Sequence, residues 1–161
     1  MKIRPATASD YDQLCELFDE VDALHREARP DIFRKPNGPP RSSERVSSLI
    51  NGPASTILVA ERGGFLLGLS VVVEQPISAN PLHVPRRVAE IVTIAVRRTA
   101  RRRGIGKSLI GASLAWAKER GADHVEISVH AFNEDALSAY TAAGFQMSVH
   151  RLLFRSPFGE A

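Results

Sequence analysis

An almost unbroken apolar run, Val88 to Val96, is followed within a few residues by two closely spaced glycines, Gly104 and Gly106, and then by apolar residues at helical spacing, Leu109, Ile110, Leu114 and Ala117. A strand apolar at nearly every position needs cover on both faces, so this stretch places helices on the two sides of a sheet. The remaining segments fit that frame. Thr7 to Asp10 reads as a capping box ahead of an amphipathic helix through Tyr11, Leu14, Cys15, Phe18, Val21 and His25. Four prolines and a glycine between Arg29 and Arg41 predict a loop, after which Ser42 or Ser43 caps a short helix. Ser55–Glu61 and Phe65–Glu74, joined by Arg62-Gly63-Gly64, read as a β-hairpin. The spacing further predicts a helix over 106–120 ended by Gly121, a strand over 124–130, a helix over 134–143 and an extended stretch over 145–154. The order favours an α/β fold with a mixed central sheet and helices on both faces.

The 161 residues suit one domain, 1–161, with a core large enough to stand without staples. Cys15 is the only cysteine, which excludes a disulfide framework and any site with two cysteine ligands; no metal centre is expected. It lies on the apolar stripe of the first helix, a setting for a small buried hydrophobe rather than a nucleophile. Met1 to Pro5 lack the apolar stretch of a secretory signal, and the longest apolar run, Phe65 to Val73, is too short to cross a bilayer. A cytoplasmic protein without membrane contact is expected. Net charge is only +3, yet five of the seven residues from Arg97 to Arg103 are arginine, so an anion is expected near them.

The turn Arg101-Arg102-Arg103-Gly104-Ile105-Gly106-Lys107-Ser108 joins strand to helix. The first amides of a helix have no partner within it, and the helix dipole adds positive potential, so backbone alone can cradle a phosphate there. A Walker A loop requires glycine where Arg101 stands, and the dinucleotide fingerprint requires glycine where Leu109 stands. Both readings fail, and R-x-x-G-x-G remains. Each glycine is also compatible with a tight turn alone. Arg97, Arg98 and Arg102 read either as a solvated face or as contacts to a ligand phosphate or an acidic substrate. A nucleic-acid surface is disfavoured because the basic run is short, no aromatics interleave it and the first helix is acidic.

That pattern, after an apolar strand and before an amphipathic helix, resembles the acetyl-coenzyme A signature of the GNAT superfamily of N-acetyltransferases. A second match lies downstream, where Asn133, Ala136, Tyr140, Gly144 and Phe145 fit the family's N-x-x-A-x-x-x-Y-x-x-x-G-F. Together the motifs cover about residues 88 to 146, in the family's order. Thr99-Ala100 departs from the acidic and aromatic pair that many members carry before the arginine. The resemblance implies the GNAT fold, acetyl-CoA as co-substrate and direct transfer to an amine within a ternary complex. It implies that Ile94, Ala95 and Val96 meet the thioester and pantetheine through their main chain. It places Arg101, Arg102, Arg103, Gly104, Ile105, Gly106 and Lys107 around the pyrophosphate. Asn133 is implied to bond the pantetheine arm, and equally fits an N-cap for the helix at Glu134.

Direct attack needs a neutral amine, hence a proton acceptor. Glu90 is the candidate, a lone carboxylate in an apolar run, although it equally fits a strand end facing water; Glu74, His83, His130 or a water chain are other routes. Tyr140 matches the family tyrosine that protonates the departing thiolate, against the plainer role of a core aromatic. Strand amides would polarise the carbonyl. The acceptor pocket is expected from the first two helices and the loop, with Asp22, His25, Glu27, Asp31 and Phe33 as contacts; converging acids would favour a cationic amine. A homodimer is expected from the family's habit of pairing terminal strands. The rival function is a noncatalytic acetyl-CoA or CoA sensor.

Overall fold

Alternation along one strand, Ser55–Arg62, sets the stacking of the layers. Ile57 and Val59 turn to one face and Leu58 and Ala60 to the other, and all four are buried. In the computed structural model, which describes residues 1–154, this strand is β2, flanked by β1 (Lys2–Pro5) and β3 (Phe65–Gln75). β4 (Val88–Val96) and β5 (His124–Ile127) complete a five-stranded sheet in the order β1-β2-β3-β4-β5. The first four strands pair antiparallel, and β5 joins β4 parallel. Residues 155–161 of the expected domain lie outside the described residues.

Two helices, α1 (Tyr11–Ala28) and α2 (Ser43–Asn51), cover one face, with Leu14, Leu17, Phe18, Val46 and Leu49 packed on Ile57, Val59, Leu69 and Val71. On the opposite face lies α3 (Ile105–Glu119), whose Ile105, Leu109 and Ala117 meet Leu58, Ala60, Val72, Ala89 and Ile91. The sheet is therefore mixed, with helices on both faces, as the order of elements predicts. A last helix, α4 (Glu134–Ala142), follows β5. Gly121 ends α3 with φ of +71°, the left-handed turn that glycine takes without a Cβ penalty. The Thr7 amide donates to Asp10 Oδ2 at 2.7 Å ahead of α1, with a single 3₁₀ turn, Ala8–Asp10, between cap and helix.

Three elements differ from expectation. β1 is short, half charged and proline-ended, so only its pairing with β2, Ile3 opposite Ala60, reveals it. β5 stops at Ile127 rather than reaching His130, because its ladder with β4 ends at Ile91 opposite Ile127. Residues 145–154 form no strand, since none of them pairs with a strand of the sheet among the described residues; alternating apolar residues make a strand only when a neighbour supplies the ladder. Among the described residues, no helix is long and apolar enough to cross a membrane.

Candidate active site

β4 outlasts its partner. It stays paired with β3 as far as Gly68 opposite Val96, but with β5 only from Val88 to Ile91. Beyond Ile91 the strands part and leave a cleft. A bulge helps: Val71 pairs with Thr93 and Val72 with Ile91, so Val92 is the extra residue and is half exposed. It reverses the facing of later residues, so Ala89 and Ile91 pack under α3 while Ala95 packs on the α1 side. The Arg97 amide donates to the Leu67 carbonyl at 2.9 Å, which puts Arg97 and every second residue before it in the ladder with β3. Ile94 and Val96 thus turn their backbone groups to the cleft. Arg101 Nε donates to the Val96 carbonyl at 3.2 Å; among the described residues, no turn, loop or side chain engages the amide or carbonyl of Ile94, and the pairing with β5 ends before it.

At the mouth of the cleft the chain turns into α3. Gly104 is left-handed, with φ of +77°, and so is Arg102, at +61°, which costs a non-glycine residue about 1 kcal/mol. Such turns form anion-binding concavities. Among the described residues, the amides of Arg102 through Lys107 have no protein acceptor, and the first α3 bond here is Ser108 N–H to Gly104 O at 3.0 Å. A Cβ on Gly104 would meet nothing within 4 Å, and one on Gly106 only Val96 Cγ2 at 3.9 Å, so both glycines bare backbone to open space. Arg101, Arg102, Arg103 and Lys107 are exposed around the same turn. A ring of unpaired amides under four cations suits a pyrophosphate. Arg97 instead ties the end of β4 to β3, through a bond to the Leu66 carbonyl at 2.7 Å, and to α1, through one to Glu16 at 2.5 Å.

Deeper in, a cavity of about 470 Å³ opens between the strands. Ile91 to Ile94 form one wall, Ile127 to His130 with Asn133 and Tyr140 the other, and α1 with the loop after it closes the end. Asn133 caps α4, its Oδ1 accepting the Ala136 amide at 3.2 Å, and it also lines the cavity. Tyr140 lies edge-on to Phe145, and burial raises its phenol above the ordinary 10.0. Its hydroxyl has no partner among the described residues.

His130 stacks on Phe132 at 5.5 Å and meets His25 and Phe33 edge-on at 5.2 and 5.3 Å. Burial, then the charges of His25 and Arg29, holds its imidazole below 6.5. His25 Nδ1 donates to the Val21 carbonyl at 2.7 Å, which fixes its proton there.

Glu90 is not among the groups lining this cavity. It is half-buried one residue short of the wall and accepts a bond from the Gln75 amide, in place of the apolar surroundings expected for it. Of the expected acceptor contacts, Asp22, His25 and Phe33 line the cavity, whereas Glu27 and Asp31 do not. The acids therefore fail to converge. Arg26, Arg34 and Arg41 line it instead; arginines scattered over a helix and a proline-rich loop carry no sequence signal of a common site.

A family model described as the acetyltransferase (GNAT) family matches residues 19–145. The mycothiol acetyltransferase of Clavibacter sepedonicus is 31% identical over 140 residues, which are 87% of this chain and 41% of that protein. Aminoglycoside N(6')-acetyltransferase type 1 of Klebsiella aerogenes is 28% identical over 115 residues, 71% of this chain and 74% of that one. The chain spans about two fifths or less of the length of the mycothiol acetyltransferases it matches. Among solved structures, the tetramutant of the BH1408 protein from Bacillus halodurans superposes with a TM-score of 0.91 at 28% identity, covering 97% of this chain and 100% of that one. An aminoglycoside N-acetyltransferase in complex with CoA shares the fold, with a TM-score of 0.68 at 18% identity over 96% of this chain and 98% of that one.

Proposed function

The chain belongs to the GNAT family of acetyltransferases, and on that basis we propose that it moves an acetyl group from acetyl-CoA to a primary amine by direct attack in a ternary complex. The observation that carries this reading is the continuity of two features: the unpartnered amides of residues 102–107 and the cleft where β4 outlasts β5. A diphosphate on the first and a pantetheine arm along Ile94, Ala95 and Val96 would satisfy both.

When bound, acetyl-CoA supplies an activated carbonyl and a sulfur leaving group. The chain's residues do the rest. Amides around the turn neutralise the diphosphate, with Arg101, Arg102, Arg103 and Lys107 adding charge. Asn133 Nδ2 steadies the arm, and a free amide of β4 faces the growing negative charge on the carbonyl oxygen. Held neutral by its surroundings, His130 takes the proton of the incoming amine. Tyr140 stays protonated and donates to the leaving sulfur. Glu90, outside the wall, acts only through water. The C–N bond forms as the C–S bond breaks, one proton going to His130 and one leaving Tyr140.

A cytoplasmic setting and pairing of two copies through the exposed apolar residues Met147, Val149, Leu152, Leu153 and Phe154 complete the proposal. Gly106→Glu tests its centre. The helical backbone at this position accepts a side chain, so the fold survives while a carboxylate enters the cradle. Calorimetry is expected to show acetyl-CoA affinity falling at least ~100-fold; wild-type affinity refutes the cradle. Tight acetyl-CoA binding by the wild-type protein, with no thiol released by any amine, marks a sensor.

A further inference from the structure

The charges around the acceptor end of the cavity point to a substrate. The titratable groups that line it are Asp22, His25 and Arg26 from α1, Arg34 and Arg41 from the loop, and His130 and Tyr140 from the far wall. The one carboxylate among the described residues, Asp22, is already spent: Arg41 binds it through Nη1 at 2.9 Å and Nη2 at 3.2 Å. Arg26 reaches Asp19 with Nη2 at 3.0 Å, but its Nη1 is buried with no acceptor among the described residues. Arg34 has no acceptor among the described residues either. Arg26 is thus left with a buried unmet donor and the exposed guanidinium of Arg34 is open to a ligand, at a cavity that offers no free carboxylate among the described residues.

A buried donor without an acceptor is costly, and a guanidinium is shaped to grip a carboxylate with two parallel bonds. A concave wall of one sign also concentrates ligands of the opposite sign. A polycation would meet the same wall as repulsion. A volume of about 470 Å³, shared with the end of the pantetheine arm, admits only a small molecule. We infer that the acceptor is a small primary amine that also bears an anionic group, a carboxylate in the simplest case, held by Arg34 and Arg26 so that the amine points at His130. The inference rests on the acetyl-transfer reading above.

The test pairs amines that differ only in that charge. β-Alanine and γ-aminobutyrate are set against their amides, with spermidine and kanamycin as polycations. Thiol release from acetyl-CoA gives kcat/KM, and calorimetry on the CoA-loaded protein gives amine binding without turnover. Carboxylates are expected to exceed their amides about tenfold or more in both measurements. Arg34→Gln, in an exposed loop where folding is not at stake, is expected to bring that ratio close to one while CoA affinity stays the same. Arg26→Gln is the second variant. Preference for the amides or polycations, or a carboxylate preference that both arginine variants retain, overturns the inference and leaves acetyl transfer standing. Carboxylate-selective binding without thiol release supports the anionic subsite and overturns acetyl transfer.

Discussion

Burial acts in opposite directions on two titratable groups of the same cavity wall, Tyr140 and His130. It raises the Tyr140 phenol above 10.0, so the group holds its proton at neutral pH, and it lowers His130 below 6.5, so the imidazole is free to take one. The same desolvation thus favours the roles proposed for them, donor for Tyr140 and acceptor for His130. Tyr140→Phe is expected to lower kcat about 100-fold while calorimetry finds acetyl-CoA affinity within about twofold of wild type. For His130 the sign follows from the depressed value: the neutral form persists as pH falls through 6.5, and kcat declines only below that point. A kcat profile should therefore place its acidic limb under pH 6.5, keep it in Glu90→Gln and lose it in His130→Gln. A limb that vanishes in the Glu90 variant instead returns the proton to the carboxylate.

At the scale of elements, the cleft depends on how closely β3 holds β4. Gly68 lies opposite Val96, and a Cβ there would stand 2.6 Å from the Ala95 carbonyl oxygen and 3.1 Å from Leu109 Cδ1. The near atom is backbone, so it cannot swing aside; β4 itself must move. Gly68→Ala is expected to lower stability by about 2 kcal/mol in urea unfolding and to weaken acetyl-CoA binding as well, since Ala95 separates the two residues whose backbone faces the cleft. Lost stability with untouched affinity would show that β4 can shift without disturbing the cleft. Under the same strands, Ser70 and Ser113 share a buried hydroxyl pair at 2.8 Å, and Ser113 Oγ donates onward to the Leu109 carbonyl at 2.9 Å, which fixes α3 against β3.

Across the whole molecule, Asp10 is where β1, β2 and the start of α1 meet. Its carboxylate takes Arg4 Nη1 and Nη2 at 2.8 and 2.9 Å and the Thr7 amide at 2.7 Å, while Arg4 Nε reaches Glu61 at 2.6 Å. The Arg4 bonds hold this buried carboxyl at about 2, down from 3.8. Because the folded value is the lower one, the stabilisation is fully present above 3.8 and is lost as pH falls from there toward 2. Asp10→Asn, which keeps the cap, is expected to cost about 2 kcal/mol at neutral pH and progressively less below about pH 4, read from urea midpoints. A deficit independent of pH would assign the loss to packing. Most of the helices and four of the five strands were legible in the chain, as was the glycine turn ahead of α3, since periodicity, caps and turn residues act within a few residues of sequence. The Val92 bulge was not, because a bulge exists only relative to the partner strand. Nor were the ion pairs of Arg97, whose acids lie on α1 about 80 residues away. Asn133 and Tyr140 could be named from their motif, but Glu90 and His130 could not be ranked, because only packing decides which side chain reaches the cavity. Where backbone amides are left open for an anion was written into the chain, for unpaired amides at a helix start are a local property. The sign of the acceptor wall came from the packed fold, because charge at a cavity is a sum over side chains that only folding brings together.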